Sequence, residues 1–464
     1  MRVFRLSGLC ALTLLLAGCF GTVEYRRPEV DLPARWPDGA YGRQGTPAAS
    51  IEWRSYFRDT RLQSLIAAAL ANNQDMRVAA LRVDEARATL GITNADRVPT
   101  VSLNTAGARA GIPRSLTGST GGETTTGRYD LGTSMLSYEV DLWGRLANLS
   151  ESARATLLAN EASQQSVRSA LVGAVANVYY ALAEMEETVS LSKATVLNRQ
   201  MVLEILEKAF AQGAASRMDI LQMESQVEQA KAGVSVAEGQ RANAENLLRS
   251  LVVRMPNELP VGRGLDAVLD SEFLTGTPSD VILARPDIVA AEQRLVAANA
   301  NLAAARAAFF PKIVLTAGLG LASRSLMALF DAGTRAWNFQ PSMSMPLFDG
   351  GRTESSEDLA QVRRDLAVAE YERVIQQAFR EVADLLAARS AFREQVRSAE
   401  AGLKALDGRL RVVEARYRSG AANQMEVLDA LRDQLAAQRT LVQVRRGELT
   451  TAAQLFKALG GGSS

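Results

Sequence analysis

The sequence predicts an α+β membrane protein in which two β-hairpins are each joined to helices far longer than a globular domain needs. Three observations point there. Two segments, residues 99–143 and 311–349, alternate apolar with small or polar residues at period two; two stretches of roughly 65 residues carry no proline; and the whole pattern occurs twice.

The second hairpin is the clearer one. In KIVLTAGLGLAS, Ile313, Leu315, Ala317, Leu319 and Leu321 alternate with Val314, Thr316, Gly318, Gly320 and Ala322. In NFQPSMSMPLF, Phe339, Pro341, Met343, Met345 and Leu347 share one face, and Asn338, Gln340, Ser342 and Ser344 the other. Upstream, Pro99 leads into TVSLNTAG, a Gly/Ser/Thr-rich loop and YDLGTSMLSYEVDLWGR. About ten residues is what a tilted strand needs to cross a bilayer, and the chain offers no second sheet to cover the apolar faces. Four strands cannot close a barrel, and lipid tolerates no open sheet edge. Several copies are therefore expected to lend four strands each to one shared barrel.

Residues 1–18 read as a secretory signal, with Arg2 and Arg5 ahead of the apolar run LCALTLLLAG, which is too short to span a membrane. The run ends in Leu16-Ala17-Gly18-Cys19, which resembles a bacterial lipoprotein cleavage box. Cys19 is thus the expected lipidation site, acylated and palmitate-bearing, and Phe20 after it favours the outer membrane. Cys10 leaves with the signal, so the mature chain can form no internal disulfide. Residues 19–58, rich in Pro and Gly, read as an irregular tether with aromatic anchors.

Composition narrows the function. With 52 basic and 51 acidic residues among 464, no charge excess points to nucleic acid. The chain has no histidine, the commonest general base and metal ligand, and no Met/Cys/His cluster suggests metal export. No Walker-type loop supplies energy, since Gly318-Leu-Gly320 lies within a strand. The expectation is a non-enzyme with no metal and no cofactor beyond the covalent lipid. No later run is apolar enough for a transmembrane helix, so only the strands can cross lipid.

Helical patterning begins near Asp59, where Leu62, Leu65, Ile66, Ala69 and Leu70 recur at three- and four-residue spacing, and it continues towards Ala95 until Pro99 ends it. Residues 146–211 and 353–419 are free of proline, and helices of that length reach on the order of 95 Å. In the last helix Leu428, Leu431, Leu435, Gln438, Val442, Arg445, Leu449, Ala452, Phe456 and Leu459 keep a 3-4 spacing, broken in polarity at Gln438 and Arg445. A seam of that kind needs a neighbouring helix. Subtraction exposes a tandem duplication: Gly144-Arg145 and Gly351-Arg352 differ by 207, as do Gly213 and Gly420, while Asp75 and Asp287, like Pro99 and Pro311, differ by 212. The first repeat runs over 59–254 and the second over 281–459; a Pro/Gly-bearing linker, 255–280, separates them, and 460–464 form a tail.

Each long helix ends in the same turn, FAQGAASRMD with Gly213 and YRSGAANQME with Gly420. The glycine stops one helix in the left-handed conformation, Ser216 or Asn423 caps the next, and Asp219 or Glu426 follows three residues on. These turns are tips of helical hairpins.

Taken together, Arg285-Pro286-Asp287-Ile288 with the Ala-rich run behind it, Phe309-Phe310-Pro311, YEVDLWGR, PLFDGGR and the paired glycine turns resemble the TolC family of outer-membrane efflux factors. The lipobox is similar to that of its lipoprotein branch, typified by NodT and OprM, and the resemblance covers nearly the whole chain. It implies a homotrimer whose twelve strands form one outer-membrane barrel, continuing into a long periplasmic α-helical coiled-coil barrel. The Ala-rich stretch from Ala290 to Ala308 would let neighbouring backbones approach closely. The implied function is the outer-membrane channel of a tripartite efflux system, in which an inner-membrane pump, of RND type, and a periplasmic adaptor deliver small molecules such as drugs. Alternatives are the outlet of a type I protein secretion system, a coiled-coil envelope scaffold that forms no pore, and, remotely, an envelope enzyme.

The resemblance also implies a constriction at the second tip, with Met425 as an apolar ring and Glu426 and Asp429 as acidic rings. Tripled like charges in a narrow pore attract cations and resist full ionisation. Asp219 is a further constriction candidate, although a capping role sufficiently explains its carboxylate; Glu426 fits either role, and Asp429, a turn further on, has no capping role. Met425 fits either an apolar ring or the hairpin core. Some members carry arginine two residues beyond the turn glycine; this chain has Ala422, so that tip salt bridge does not carry over, although Arg416 and Arg418 are close. Trp143, Phe309, Phe310, Trp337, Phe339 and Phe348 are expected at strand ends, Trp337 and Phe339 in an interfacial belt and Phe309, Phe310 and Phe348 packed at helix junctions.

Overall fold

The computed structural model describes residues 25–29, 33, 36, 51–112, 124–266 and 282–461. The signal segment with Cys19, most of the tether expected over 19–58, residues 113–123, residues 267–281 and the last three residues lie outside that set. The elements in chain order are α1 (Trp53–Tyr56), α2 (Thr60–Asn72), α3 (Gln74–Ala95), β1 (Val101–Ile112), β2 (Thr124–Glu139), α4 (Arg145–Ala211), α5 (Arg217–Val252), a 3-10 turn at Gly264–Asp266, α6 (Pro286–Ala307), β3 (Lys312–Ser323), β4 (Arg335–Ser344), α7 (Arg352–Arg418) and α8 (Gln424–Ala458). No helix among the described residues is long and apolar enough to cross a membrane.

Packing divides the chain into two units. The first holds Arg82–Asn160, Ala291–Tyr371 and the described part of Met1–Glu29. Its sheet has the order β1-β2-β3-β4, antiparallel throughout, and among the described residues the outer sides of β1 and β4 are unpaired. Pro341 sits on edge strand β4, where a missing N–H is tolerated. Below the sheet, Ser150 Oγ donates to Asn94 Oδ1 at 2.5 Å, and Arg306 pairs with Glu357 at 2.9 Å. The buried Glu292 of α6 accepts a two-pronged bond from Arg27 (2.7 and 2.8 Å) and one from the Tyr25 hydroxyl (3.2 Å), which fastens the N-terminal segment to the helix.

The second unit holds the described parts of Val30–Leu81, Glu161–Ala290 and Glu372–Ser464. Its core joins Tyr56, Phe57, Leu62, Ile66, Tyr180 and Phe456, with Tyr56 stacked on Phe456 at 4.3 Å and Phe57 edge-on to both. Asp59 pins three segments at once. Its carboxylate caps α2 through the N–H groups of Arg61 and Leu62, and it accepts the Tyr179 hydroxyl and the Arg263 N–H of the linker, each at 2.8 Å. In α8 the seam residues Leu428, Val442, Leu449, Ala452, Phe456 and Leu459 are buried, and Arg445 is satisfied by Asp266 and Glu400.

Both long helices run unbroken for 67 residues, from Arg145 to Ala211 and from Arg352 to Arg418. Their first turns are capped from outside: Asp141 accepts the N–H groups of Leu146 and Ala147, and Asp349 those of Arg352 and Thr353.

Three expectations need correction. The helical stretch from 59 to 95 is two helices, because Asn73 turns extended and its side chain caps α3 through the N–H groups of Asp75 and Met76. The fourth strand runs over 335–344, so Met345, Leu347 and Phe348 lie beyond it and Phe339 falls inside the span, away from a strand end. Phe348 is 93% exposed among the described residues, not packed at the junction as expected, and Phe309 is also exposed. Of the junction aromatics, Phe310 does pack: it stacks on Trp143 at 4.9 Å, whose indole N–H donates to the Pro311 carbonyl at 2.8 Å.

Candidate functional site

Residues paired across antiparallel strands share a face, and the register therefore sorts the sheet. One face carries Val101 and Leu103, Leu131 and Met135, the run Ile313 to Leu321 at every second residue, and Trp337, Phe339, Pro341 and Met343. It is uncovered: Leu103 is 75% exposed, Leu319 66% and Trp337 77%. The other face carries Ser102, Asn104, Arg128, Asp130, Ser134, Thr316, Asn338, Gln340 and Ser342, interleaved with Gly and Ala.

A bulge keeps the sorting intact. Between Met135 and Tyr138 strand β2 carries one extra residue, with Ser137 at φ 54°. Without it Tyr138 would turn to the polar face; with it Tyr138 joins Leu315 on the apolar side and Glu139 joins the polar side. On that polar side Gly132 and Gly320 meet so closely that a Cβ on either would collide with the opposing backbone.

At the helix-side end of the sheet, Glu139 binds Arg145 through two bonds of 2.8 Å and Lys312 at 2.7 Å. Beside this triad lies a recess of about 380 Å³ bordered by Trp143, Phe310 and Pro346. The sequence reading missed the triad. Its signal was one of the two acids in YEVDLWGR, and the partner Lys312 lies far along the chain, beyond the reach of local patterning.

The two interhelical tips have the predicted geometry in detail. Gly213 and Gly420 adopt φ of 73° and 75°. The N–H groups of Ala214 and Ala421 reach the carbonyls of Ala209 and Arg416 at 2.8 Å, while those of Gly213 and Gly420 reach Phe210 and Tyr417, a paired closure of each helix end. Complete capping boxes follow, Ser216 with Asp219 and Asn423 with Glu426. Bonds from the Ser216 hydroxyl and backbone hold the Asp219 carboxyl below its ordinary range.

The second tip differs in its charge. Arg416 lies 3.8 Å from Glu426 and donates to the Ala421 carbonyl at 2.9 Å, whereas Arg418 turns back to Glu414. Asp429 pairs with Arg432 at 3.2 Å, and Arg432 also holds Asp433, whose carboxyl is kept low by Arg432 and then Arg409. Met425 and Asp429 border a recess of about 230 Å³ between α4, α5 and α8. Among the described residues no group of His, Cys, Asp and Glu side chains could hold a metal ion.

Compared with known proteins, the chain matches the family described as outer membrane efflux protein over residues 65–252 and 277–461. The chain belongs to that family. It is 38% identical over 465 residues to the toluene efflux pump outer membrane protein TtgC of Pseudomonas putida and, to the same extent, to the antibiotic efflux pump outer membrane protein ArpC of the same species. Each match covers 98% of this chain and 95% of the relative. The open-state outer membrane channel MtrE of Neisseria gonorrhoeae superposes with a TM-score of 0.86 at 33% identity, covering 96% of this chain and 98% of that one. This outer membrane efflux protein is thus a channel component of an efflux system in the outer membrane, a transport protein by family.

Proposed function

We propose that three copies of this outer membrane efflux protein join their sheets into one twelve-stranded barrel, which continues into a periplasmic barrel of helices. A lipid on Cys19 anchors each copy. The assembly receives cargo from an inner-membrane pump of RND type through a periplasmic adaptor and exports it passively; the relatives named for toluene and antibiotics support small toxic organic molecules as that cargo. The sheet carries this reading. Its uncovered apolar face and two unpaired edges are compatible with lipid only if neighbouring copies supply the missing strands. The two 67-residue helices, whose starts at 145 and 352 and ends at 211 and 418 are each 207 apart, support tandem repeats over 59–254 and 281–459.

The second tip acts as the constriction, with Met425 as its apolar ring and Asp429 as its principal acid. Glu426 contributes charge while capping α8, and Asp219 serves the first tip as a cap. Single-channel conductance of the lipidated protein in planar bilayers tests both parts. A small, cation-selective conductance is expected, and Asp429→Ala should raise it or reduce its selectivity by about twofold or more. Glu426→Gln keeps the capping geometry and removes only the charge. A conducting trimer indifferent to both changes would retain the channel and discard the constriction, and folded protein that never conducts would discard the channel.

A further inference from the structure

The register places two arginines on the apolar face just past its greasy band. Arg335 stands level with Leu321 at the start of β4, and Arg109 lies opposite Gly127 near the end of β1. Both are exposed, and among the described residues neither has a carboxylate in ion-pair reach. On the polar face the arrangement is the reverse, because Arg128 is neutralised by Asp130 at 2.9 Å. An unneutralised guanidinium on a lipid-facing surface calls for an anion from the lipid. Tyr129 lies between them on the same face, its ring over Gly107.

The two arginines sit on the two edge strands, and the stagger of the sheet says how they meet. On the helix side β1 begins level with Ala317, β2 ends level with Val314, β3 begins at Lys312 and β4 ends level with Lys312. The ends thus step down by three, two and no residues in turn, about two per strand on average, the slant of a tilted barrel. Carried across to the β1 of a neighbouring copy, this step puts that copy's Arg109 within about three residues of the level of Arg335 on the adjacent strand. The separation is about 10 Å, which two long arginine side chains can share around one headgroup.

We propose that Arg335 of one copy and Arg109 of the next form, at each seam of the barrel, a site for a phosphorylated glycolipid of the outer leaflet. Two cations at this spacing match two phosphates on one sugar head better than a single phosphodiester, and Leu319 and Trp337, one pleat nearer the helices than Arg335 on the same face, meet the acyl chains. The inference rests on the barrel reading, in which the apolar face looks outward and the strand ends away from the helices reach the outer leaflet.

The test uses the full-length lipidated protein in vesicles containing bisphosphorylated lipid A, phosphate-free lipid A or phosphatidylglycerol, reading lipid retained per protein and the temperature at which the oligomer dissociates on gels. Wild type should retain bisphosphorylated lipid A and gain thermal resistance from it alone. Arg109→Ala with Arg335→Ala should weaken retention about tenfold or more, and Arg128→Ala on the polar face should leave it unchanged. If the alanine variant fails to assemble, Arg109→Lys with Arg335→Lys keeps the charge and should retain the lipid more weakly. Equal retention by the double variant, or by vesicles of either other lipid, overturns the site. Conductance of the same preparations separates the two readings. Protein that conducts but binds no lipid A overturns this inference alone, and protein that never conducts overturns the barrel and the seam site with it.

Discussion

Single residues carry more of this molecule than their number suggests. Arg285 is buried and forks onto Asp287 (3.0 and 2.8 Å), reaches Glu381 at 2.9 Å and donates to the Ala458 carbonyl at 2.7 Å, which ties the start of α6 to α7 and the end of α8. Burial by itself would raise the Asp287 carboxyl, but the bonds from Arg285 outweigh it and hold the group below its usual range. A depressed carboxylate contributes stability above the unfolded aspartate value of about 3.9, and that contribution is lost as pH falls through its lower folded value. Thermal unfolding in detergent between pH 7 and pH 3 should therefore show an acid loss below about pH 4 that is smaller in Asp287→Asn. Parallel curves for the two proteins would refute the assignment. Arg285→Ala, which strands two acids and a carbonyl, should cost about 2–3 kcal/mol at neutral pH. The motif was visible in the sequence as Arg-Pro-Asp, but Glu381 and the α8 carbonyl were not, since nothing local joins positions so far apart.

At the scale of elements, the tips show how fully a local signal can determine structure. A glycine in the left-handed region, a capping side chain and an acid three residues later are self-contained, so the turns at 213–219 and 420–426 form as their sequences dictate. Asn423→Ala removes one side of the second box and should destabilise the start of α8 by about 1 kcal/mol, seen as faster amide exchange confined to the first turn after residue 423. Unchanged exchange there would mean that packing, not the cap, holds the turn. Helix α2 teaches the opposite lesson. Its apolar spacing runs on towards Ala95, yet Asn73 breaks it, because a side chain able to cap competes with the helix ladder and its amide also reaches the Leu251 carbonyl. The bulge at Ser137 is a similar case: the apolar period of β2 slips by one residue, and only its pairing with β3 says where the phase is recovered.

For the whole molecule, the open sheet is the feature that a single chain leaves unfinished. Co-expressing tagged and untagged chains should give four resolvable oligomers, from none to three tags, as a trimer requires; three species would indicate a dimer, and one untagged and one tagged species would indicate no exchange or a monomer.

The sequence by itself determined the periodic and the local: strands of alternating polarity, helices uninterrupted by proline, and tips closed by glycine and capped. Those features depend on neighbours within a few residues, so composition and spacing suffice to express them. Tertiary structure alone decided which strand positions share a face after the bulge, and that Glu139 meets Lys312 while Asp59 holds the linker. Each of these is a contact between residues distant in sequence, whose geometry is set by how whole elements pack.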